Sequence, residues 1–427
     1  MTILGKLLTI LSNALVLPRF RPRFQYCVDK IKQAMTCTIE LKVFWTIVLT
    51  PLRLVLALAL AIIKSILILI LPKTVLSNMK YIFQQFYLDI YNRKIGVFTS
   101  IKRAFLIHEL FTKGAEKRKS FGSENPNITF LVIRPYYYLK PNALIYRNVA
   151  NLLTQYYYVI QKLSYAFENG YVPVVDWQNY GQMPHAEDYP VNGTTNSWEY
   201  YWTQPSEYTL EEVYKSKNVI LSTQNIGRYG YVPNCAMNPP YKKYAEELAK
   251  KCPKYIKTFS FNETTEKYVN DFQEKLFPKG ERILGVVVRG ASYGKEGTPY
   301  HSHPKQVMID ELVEAVKKYL DMWDMKYLFF VNEMQELVDI MREEFGEYLI
   351  VLPRMRDTFA RPTDGITKNP MYLDGNRYQT NLDYVTEIAL LSRCDSLVGS
   401  MSSGMRTALI WNDNKYENVH IFERGLW

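Results

Sequence analysis

Apolar residues recur at two different periods along this chain. From residue 129 onward, short apolar runs typical of buried strands alternate with segments in which apolar residues recur every three to four positions, as in amphipathic helices. This alternation predicts an α/β fold built from doubly wound parallel sheets. The predicted strands cover residues 129–133, 171–175, 283–288, 327–331, 348–352 and 419–422, and the main predicted helices cover residues 146–168, 306–322, 335–345 and 405–411.

A different pattern occupies residues 43–71, which are almost wholly apolar. Lys42, Arg53 and Lys64 are evenly spaced through it and would form one narrow basic stripe on a continuous helix. A helix lying in the membrane interface, or re-entering it, would let this stripe contact lipid headgroups. The alternatives are a full span, in which a central arginine costs about 2.5 to 3.5 kcal/mol, and a buried helix of a soluble protein. The segment lies too deep in the chain for a cleavable signal peptide.

The chain length of 427 residues suggests about three structural units. We predict a hydrophobic helical membrane-associating region with its linker at residues 1–120, followed by two Rossmann-like domains at residues 125–278 and 279–427. The strand and helix alternation defines the second and third units.

The formal net charge is +10, and the basic residues are spread along the chain. Neither a basic-aromatic motif nor a Cys/His finger is present, so the sequence does not favour nucleic-acid binding. An anionic membrane surface and an anionic ligand agree with the sign of the charge. Five scattered cysteines indicate neither a disulfide framework nor a zinc site and favour a reducing compartment. We therefore predict a membrane-associated protein whose catalytic part is cytoplasmic.

Near the C-terminus, a small-residue turn follows a short strand and opens a helix. Its sequence is Ser400-Met-Ser402-Ser403-Gly404. Backbone N–H groups and hydroxyls gather there, at the end of the helix dipole that favours negative charge, so the turn suits a phosphate. The alternative is that Ser402 and Ser403 only cap an ordinary helix.

An arginine follows the predicted strand at residues 283–288. Arg289 at the end of an apolar strand is costly unless it meets an anion. Asn332 and Glu333 end another predicted strand, and they either face the same crevice or only terminate the strand. Because ligands of open α/β sheets bind at the carboxyl ends of the strands, we expect Arg289 and the serine turn to face one ligand.

These features resemble the fucosyltransferase superfamily. The resemblance is carried by the strand that ends in Arg289, by His303-Pro304, and by the spacing of Glu387, Leu391, Asp395 and Ser402-Ser403. It covers roughly residues 282–411. The superfamily includes the core N-glycan α-1,6-fucosyltransferase, the nodulation-factor fucosyltransferases and the protein O-fucosyltransferases.

The resemblance implies an inverting GT-B glycosyltransferase that takes fucose from GDP-fucose, with the acceptor side in the domain at residues 125–278 and the donor side in the domain at residues 279–427. Arg289, His303 and Glu387 would belong to the donor site, and Ser400, Ser402 and Ser403 would hold the β-phosphate. Glu296 would be the acceptor base. The resemblance implies no metal and no cofactor, since the nucleotide sugar is a substrate. The chain also contains no Asp-x-Asp motif, which argues against the metal-binding site of the single-Rossmann transferases.

The chain departs from the superfamily at several positions. The α-1,6 enzymes carry two successive arginines, whereas Gly290 follows Arg289 here, and Ser292 stands where relatives with one arginine have an aspartate. Either other cations such as Lys295 or Arg406 meet the diphosphate charge, or activity is low.

Candidates on the acceptor side come from two places in the middle domain. Asp176 follows a predicted strand and either borders the interdomain cleft or caps the strand. Trp198, Glu199 and Trp202 lie in an aromatic stretch that suits the stacking of a sugar ring, although aromatic clusters are more often core.

The sequence as a whole therefore predicts a membrane-associated glycosyltransferase that moves fucose from GDP-fucose to a glycan acceptor in cell-surface polysaccharide or glycoconjugate synthesis. One alternative is an inactive relative that acts as a membrane-tethered glycan-binding or scaffold protein. Another is a transferase for a different nucleotide sugar, because a diphosphate cradle reads neither base nor sugar.

Overall fold

A computed structural model describes most of the chain beyond residue 117. The described residues are 118–138, 148–149, 151–180, 185–187, 189–223, 231–233, 237–290, 303–358 and 376–426. In this part of the chain, no helix is both long and apolar enough to cross a bilayer. The apolar segment at residues 43–71 and the loop that carries Glu296 lie outside the described residues.

The first sheet has four strands in the order β1-β6-β2-β5. β2 lies at its centre and pairs in parallel with β5 and β6, and its last four residues are completely buried. β1 is antiparallel to β6. The elements of this half include β1 (Arg118–Lys119), β2 (Glu124–Ile133), the paired β3 (Tyr137–Tyr138) and β4 (Asn148–Val149), α1 (Leu152–Glu168), β5 (Val172–Val175), α2 (Leu210–Val213) and β6 (Ser216–Leu221).

The helix predicted at residues 146–168 begins later than expected. Asn148 and Val149 are extended and pair with β3. Asn151 then caps the helix, because its side-chain oxygen accepts a hydrogen bond of 2.9 Å from the Thr154 amide. An asparagine cap and a short strand pairing therefore override the apolar periodicity of the first predicted turn.

Three helices join the two sheets. They are α3 (Tyr241–Lys251), α4 (Pro253–Ile256) and α5 (Glu263–Leu276). α5 packs on a helix of the second half.

The second sheet has five strands in the order β11-β10-β7-β8-β9, and every described pairing in it is parallel. Both strand faces are buried, in agreement with the continuous apolar runs. Its elements are β7 (Ile283–Val287), α6 (Ile309–Met322), β8 (Tyr327–Val331), α7 (Gln335–Phe345), β9 (Leu349–Ile350), α8 (Arg377–Leu391), β10 (Ser396–Gly399), α9 (Ser403–Trp411) and β11 (Asn418–Ile421).

Periodicity located β8 and α7 at their observed bounds, but α6 begins three residues later than predicted. Residues of the predicted first turn form contacts outside the helix instead. Gln306 accepts a hydrogen bond from the Arg289 amide, and the Val307 amide donates to the Ser400 hydroxyl. Two long-range contacts thus hold this segment out of the helix.

The helix α9 connects the two halves of the described structure. It packs on α1 and α3 while following directly from β10. The hydroxyls of Thr154 and Ser403 lie 2.9 Å apart, and the Trp411 indole donates to the Tyr156 hydroxyl over 2.7 Å. One continuous apolar cluster runs through both halves. The mixed α/β class with parallel sheets is therefore confirmed, whereas the domain boundary near residue 278 stays a prediction.

Candidate active site

The carboxyl ends of β7, β8 and β10 bring three predicted features together. Arg289 follows β7, Glu333 follows β8, and the serine turn at residues 400–404 follows β10. The Arg289 Nε lies 3.2 Å from a carboxylate oxygen of Glu333, and their side chains are 30% and 31% exposed. A partly exposed cation and a partly exposed carboxylate therefore stand beside the turn. We call this group, Arg289, Glu333 and residues 400–404, the strand-end site.

The serine hydroxyls of the turn are engaged within the protein. Ser400 Oγ accepts from the Val307 amide over 3.1 Å, Ser402 Oγ caps α9 by accepting from the Met405 amide over 3.1 Å, and Ser403 Oγ contacts Thr154. Ser402 therefore caps the helix α9, as one of the two alternatives derived from the sequence states. Ser400 and Ser402 only accept in these bonds, so their O–H groups can still donate to an anion. The Ser403 and Gly404 amides are suited to an anion as well, since the first amides of a helix have no intrahelical acceptor and lie at its positive end. Phosphate binding by this turn stays a prediction.

Gln306 connects the segment after β7 to the turn after β10. Its amide oxygen accepts from the Arg289 backbone over 3.0 Å, and its amide nitrogen donates to the carbonyls of Pro304 and Met401. The sequence analysis missed this residue, because an isolated glutamine carries no motif signal.

His303, predicted at the donor site, is half-buried close enough to Arg289 for their charges to interact. Burial and the guanidinium charge both lower the pKa of His303, so the neutral imidazole is favoured beside Arg289 at neutral pH. His303 therefore lies near Arg289, and its role in donor binding stays a prediction.

Glu387 lies beneath the site and is completely buried. One of its carboxylate oxygens lies 2.7 Å from Arg354 Nε and 3.2 Å from Arg356 Nη2, and both arginine side chains are 4% exposed. Burial raises the pKa of Glu387, and the two guanidinium charges oppose that rise. Both arginines also donate to the Asn332 carbonyl, which ties them to the end of β8. Glu387 therefore positions two cations rather than facing the site itself.

Arg354 and Arg356 were missed by the sequence analysis. The signal that could have found them is the pair of arginines directly after an apolar strand, in Leu352-Pro-Arg354-Met-Arg356. Two buried cations at a strand end require an anionic partner, and the helix that carries Glu387 supplies it.

Gly290, which follows Arg289, lies close to the side chain of Met334. A Cβ atom at Gly290 would lie 2.1 Å from Met334 Cγ, so no side chain fits there unless Met334 moves. Of the cations considered as substitutes, Lys295 lies outside the described residues. Arg406 is fully buried, with its guanidinium 3.9 Å from the ring centroid of Tyr157 on α1.

Asp176, one of the acceptor-side candidates, is buried and hydrogen-bonded locally. Its carboxylate accepts from the Tyr214 hydroxyl over 2.6 Å and from the Asn179 side chain over 2.9 Å. Burial raises its pKa against these hydrogen bonds. Asp176 therefore caps the end of β5, as one of the two alternatives derived from the sequence states.

The aromatic candidates lie in the core or at another edge. Trp198 is completely buried and donates to the Thr203 carbonyl, and Glu199 accepts from Gln204 over 2.6 Å. Trp202 borders a cavity of about 580 Å³ that also contacts Asp395 and Glu417, which precede β10 and β11. This cavity therefore lies at the edge of the second sheet opposite Arg289. Within the described residues, no hydrogen bond joins these candidates to the strand-end site, and their acceptor role stays a prediction.

No protein-family model and no curated protein sequence matches the chain. The structure is similar to solved structures of fucosyltransferases. Fucosyltransferase NodZ from Bradyrhizobium is 13% identical, with a TM-score of 0.36, over 66% of this chain and 92% of that chain. A variant of Arabidopsis thaliana FUT1 in complex with GDP is 10% identical, with a TM-score of 0.36, over 82% and 79% of the two chains. POFUT1 in complex with GDP-fucose is 11% identical, with a TM-score of 0.27, over 70% and 75%.

The Glu387 cluster generates a stability prediction. Glu387→Gln removes the charge that two buried guanidinium groups share, and we expect the free energy of unfolding to fall by about 3 kcal/mol or more, the usual cost of breaking a buried ion pair. Glu333→Gln is the matched control, because its ion pair is partly exposed and should be worth about 1 kcal/mol or less. Urea denaturation of both variants measures the difference. Equal losses in the two variants would contradict a structural role for Glu387.

Proposed function

We propose that this protein is a glycosyltransferase that binds a nucleoside diphosphate sugar at the strand-end site and transfers the sugar to a glycan hydroxyl. The proposal rests mainly on one observation, which is that β7 and β10 pair in parallel, so that Arg289 and the first turn of α9 follow the same carboxyl edge of the sheet. A guanidinium and helix amides together offer positive charge and N–H donors in the form that phosphate oxygens accept. The donor proposed from the sequence motifs is GDP-fucose.

The proposed reaction is inverting and needs no metal ion. The acceptor hydroxyl oxygen attacks C1 of fucose, a new C1–O bond forms, and the bond from C1 to the β-phosphate oxygen breaks with its electron pair staying on GDP. The acceptor proton passes to a carboxylate. Arg289 and the helix amides stabilise the charge that grows on the leaving diphosphate, which is electrostatic stabilisation by preorganised donors.

Glu296 is the base we propose, by its place in the sequence motif. Among the carboxylates that the structure describes, Glu333 is the best second candidate because it is partly exposed at the site. Glu387 is buried against two arginines, and Asp176 is buried and bonded by Tyr214. Neither is placed to receive a proton from an acceptor.

An inactive glycan-binding relative is the second candidate function. The observation that favours it is that a Cβ at Gly290 would lie 2.1 Å from Met334 Cγ, so that a second arginine would fit at this position only if Met334 moved. Such a protein would bind nucleotide weakly or not at all and would release no GDP from GDP-fucose. A transferase specific for another nucleotide sugar would instead release its own nucleotide.

We also propose that residues 43–71 attach the protein to a membrane surface, with the catalytic part in the cytoplasm. The apolar segment and its basic stripe support this proposal. Full-length protein should sediment with membranes at ordinary salt and require detergent for release. Recovery in the soluble fraction without detergent would contradict any anchor.

Donor binding is tested by thermal unfolding of the full-length protein in detergent with GDP, UDP or ADP and without divalent ions. GDP should raise the melting temperature most, because a ligand that binds the native state stabilises it. Arg289→Ala should weaken GDP binding by about a hundredfold or more, since truncating one partner of a charge-assisted contact costs several kcal/mol. Arg342→Ala is the control, because Arg342 pairs with Asp339 on the exposed face of α7. Equal shifts with all three nucleotides, or a strict need for metal, would remove the GDP proposal.

The base is tested by turnover with GDP-fucose and by nucleotide affinity in the same variants. Glu296→Gln should retain GDP binding and lose turnover by roughly a hundredfold to ten-thousandfold, the scale of general-base catalysis. Glu333→Gln should then have the smaller effect on turnover. If Glu296→Gln is fully active and Glu333→Gln is not, the base is Glu333. Absence of GDP release by the unaltered protein, with any acceptor tried, would instead support the inactive relative.

A further inference from the structure

One phenol at the strand-end site has no role in the function proposed above. Tyr384 lies on α8, one turn before Glu387, and its side chain is only partly buried. The distances around Gly404 show where the Tyr384 hydroxyl lies relative to the turn. An ideal Cβ at Gly404 would lie 3.2 Å from the Tyr384 hydroxyl and 3.7 Å from the Ser402 hydroxyl. The Tyr384 hydroxyl therefore stands against the first turn of α9.

The same hydroxyl lies among the charges of the site. Arg289, Glu333, Glu387 and Arg354 all act electrostatically on it. Burial raises the pKa of Tyr384 above its ordinary value, so the phenol keeps its proton throughout the physiological range. It can thus donate a hydrogen bond to an anion while accepting one from a cation.

Within the part of the chain that the structure describes, the Tyr384 hydroxyl makes no hydrogen bond with the protein. Neighbouring polar groups of the site do have partners, including the three serine hydroxyls, Gln306 and Arg289. A phenol that lies beside the first turn of a helix and within electrostatic reach of Arg289 is in a suitable place to meet a ligand oxygen.

We propose that the Tyr384 hydroxyl donates a hydrogen bond to the terminal phosphate of the nucleoside diphosphate bound at the strand-end site. This inference rests on the proposed function, since it assumes that a diphosphate binds there. It assigns a neutral donor to part of the role that a second arginine would have, at a site where Met334 excludes a side chain from position 290.

The glycine at position 404 is required by this arrangement. A Cβ there would lie 3.0 Å from Ile388 Cδ1 and 3.2 Å from the Tyr384 hydroxyl, closer than ordinary van der Waals contact, so these side chains would have to shift by a few tenths of an ångström. Even an alanine at this position would press on the tyrosine. Glycine therefore keeps the path between the phenol and the helix amides open.

Calorimetric titration of the full-length protein with GDP and with GMP tests the contact. Tyr384→Phe should weaken GDP binding by about tenfold to a hundredfold, the value of a hydrogen bond to a charged group, and should leave GMP binding within about twofold, because GMP lacks the terminal phosphate. Gly404→Ala should weaken GDP binding in the same direction. Tyr378→Phe is the matched control, since Tyr378 lies on the same helix and its hydroxyl accepts from Asn192. Unliganded melting temperatures confirm that each variant is folded.

Three results would overturn the assignment. Unchanged GDP affinity in Tyr384→Phe, with normal binding by the unaltered protein, removes Tyr384 and leaves the proposed function intact. Equal weakening of GDP and GMP places the hydroxyl on another part of the nucleotide. Failure of the unaltered protein to bind GDP removes both the proposed donor and this contact.

Discussion

The buried carboxylate of Glu387 is the interaction on which the rest of the site depends. One of its oxygens is shared by Arg354 and Arg356, so a single charge on α8 holds the loop after β9 and, through the Asn332 carbonyl, the end of β8. Because these three charged groups are buried in surroundings of low polarizability, the attraction between them is strong. For the same reason, a buried charge that lost its partner would destabilise the fold. The end of β8, which carries Glu333, is therefore supported by three buried charges, and removing Glu387 would leave two buried guanidinium groups without their shared anionic partner.

The helix α9 connects the strand-end site to the other half of the described structure. Its N-terminus belongs to the strand-end site, whereas Arg406 lies on the ring of Tyr157 and Trp411 bonds to Tyr156. Both tyrosines lie on α1, which covers the first sheet. A ligand at the first turn of α9 would thus bind to an element packed in both halves, and the position of that turn is set jointly by the two halves.

The hydrogen bonds within the protein decide which groups of the site can still meet an anion. Ser400 and Ser402 accept from the Val307 and Met405 amides, and Ser403 contacts Thr154 on α1. Because Ser400 and Ser402 act only as acceptors there, their O–H groups can still donate, beside the backbone amides, Arg289 and the Tyr384 phenol. A site of this kind offers fewer charges than one with two adjacent arginines, and it relies on preorganisation by Gln306 and Glu387, whose bonds do not need to form when the ligand arrives.

The sequence by itself determined the α/β class, the bounds of β8 and α7, and the placement of Arg289 and the serine turn after strands of one parallel sheet. These depend on the period of apolar residues and on the rule that parallel strands share one carboxyl edge, both of which can be read along the chain. Only the tertiary structure decided how the side chains are used. Val307 engages Ser400, Arg354 engages Glu387, and Met334 fills the space beside Gly290, and each pair joins segments that lie far apart in sequence. Hydrogen-bond partners and steric space are set by residues brought together across the sheet, and periodicity along one segment contains no information about them.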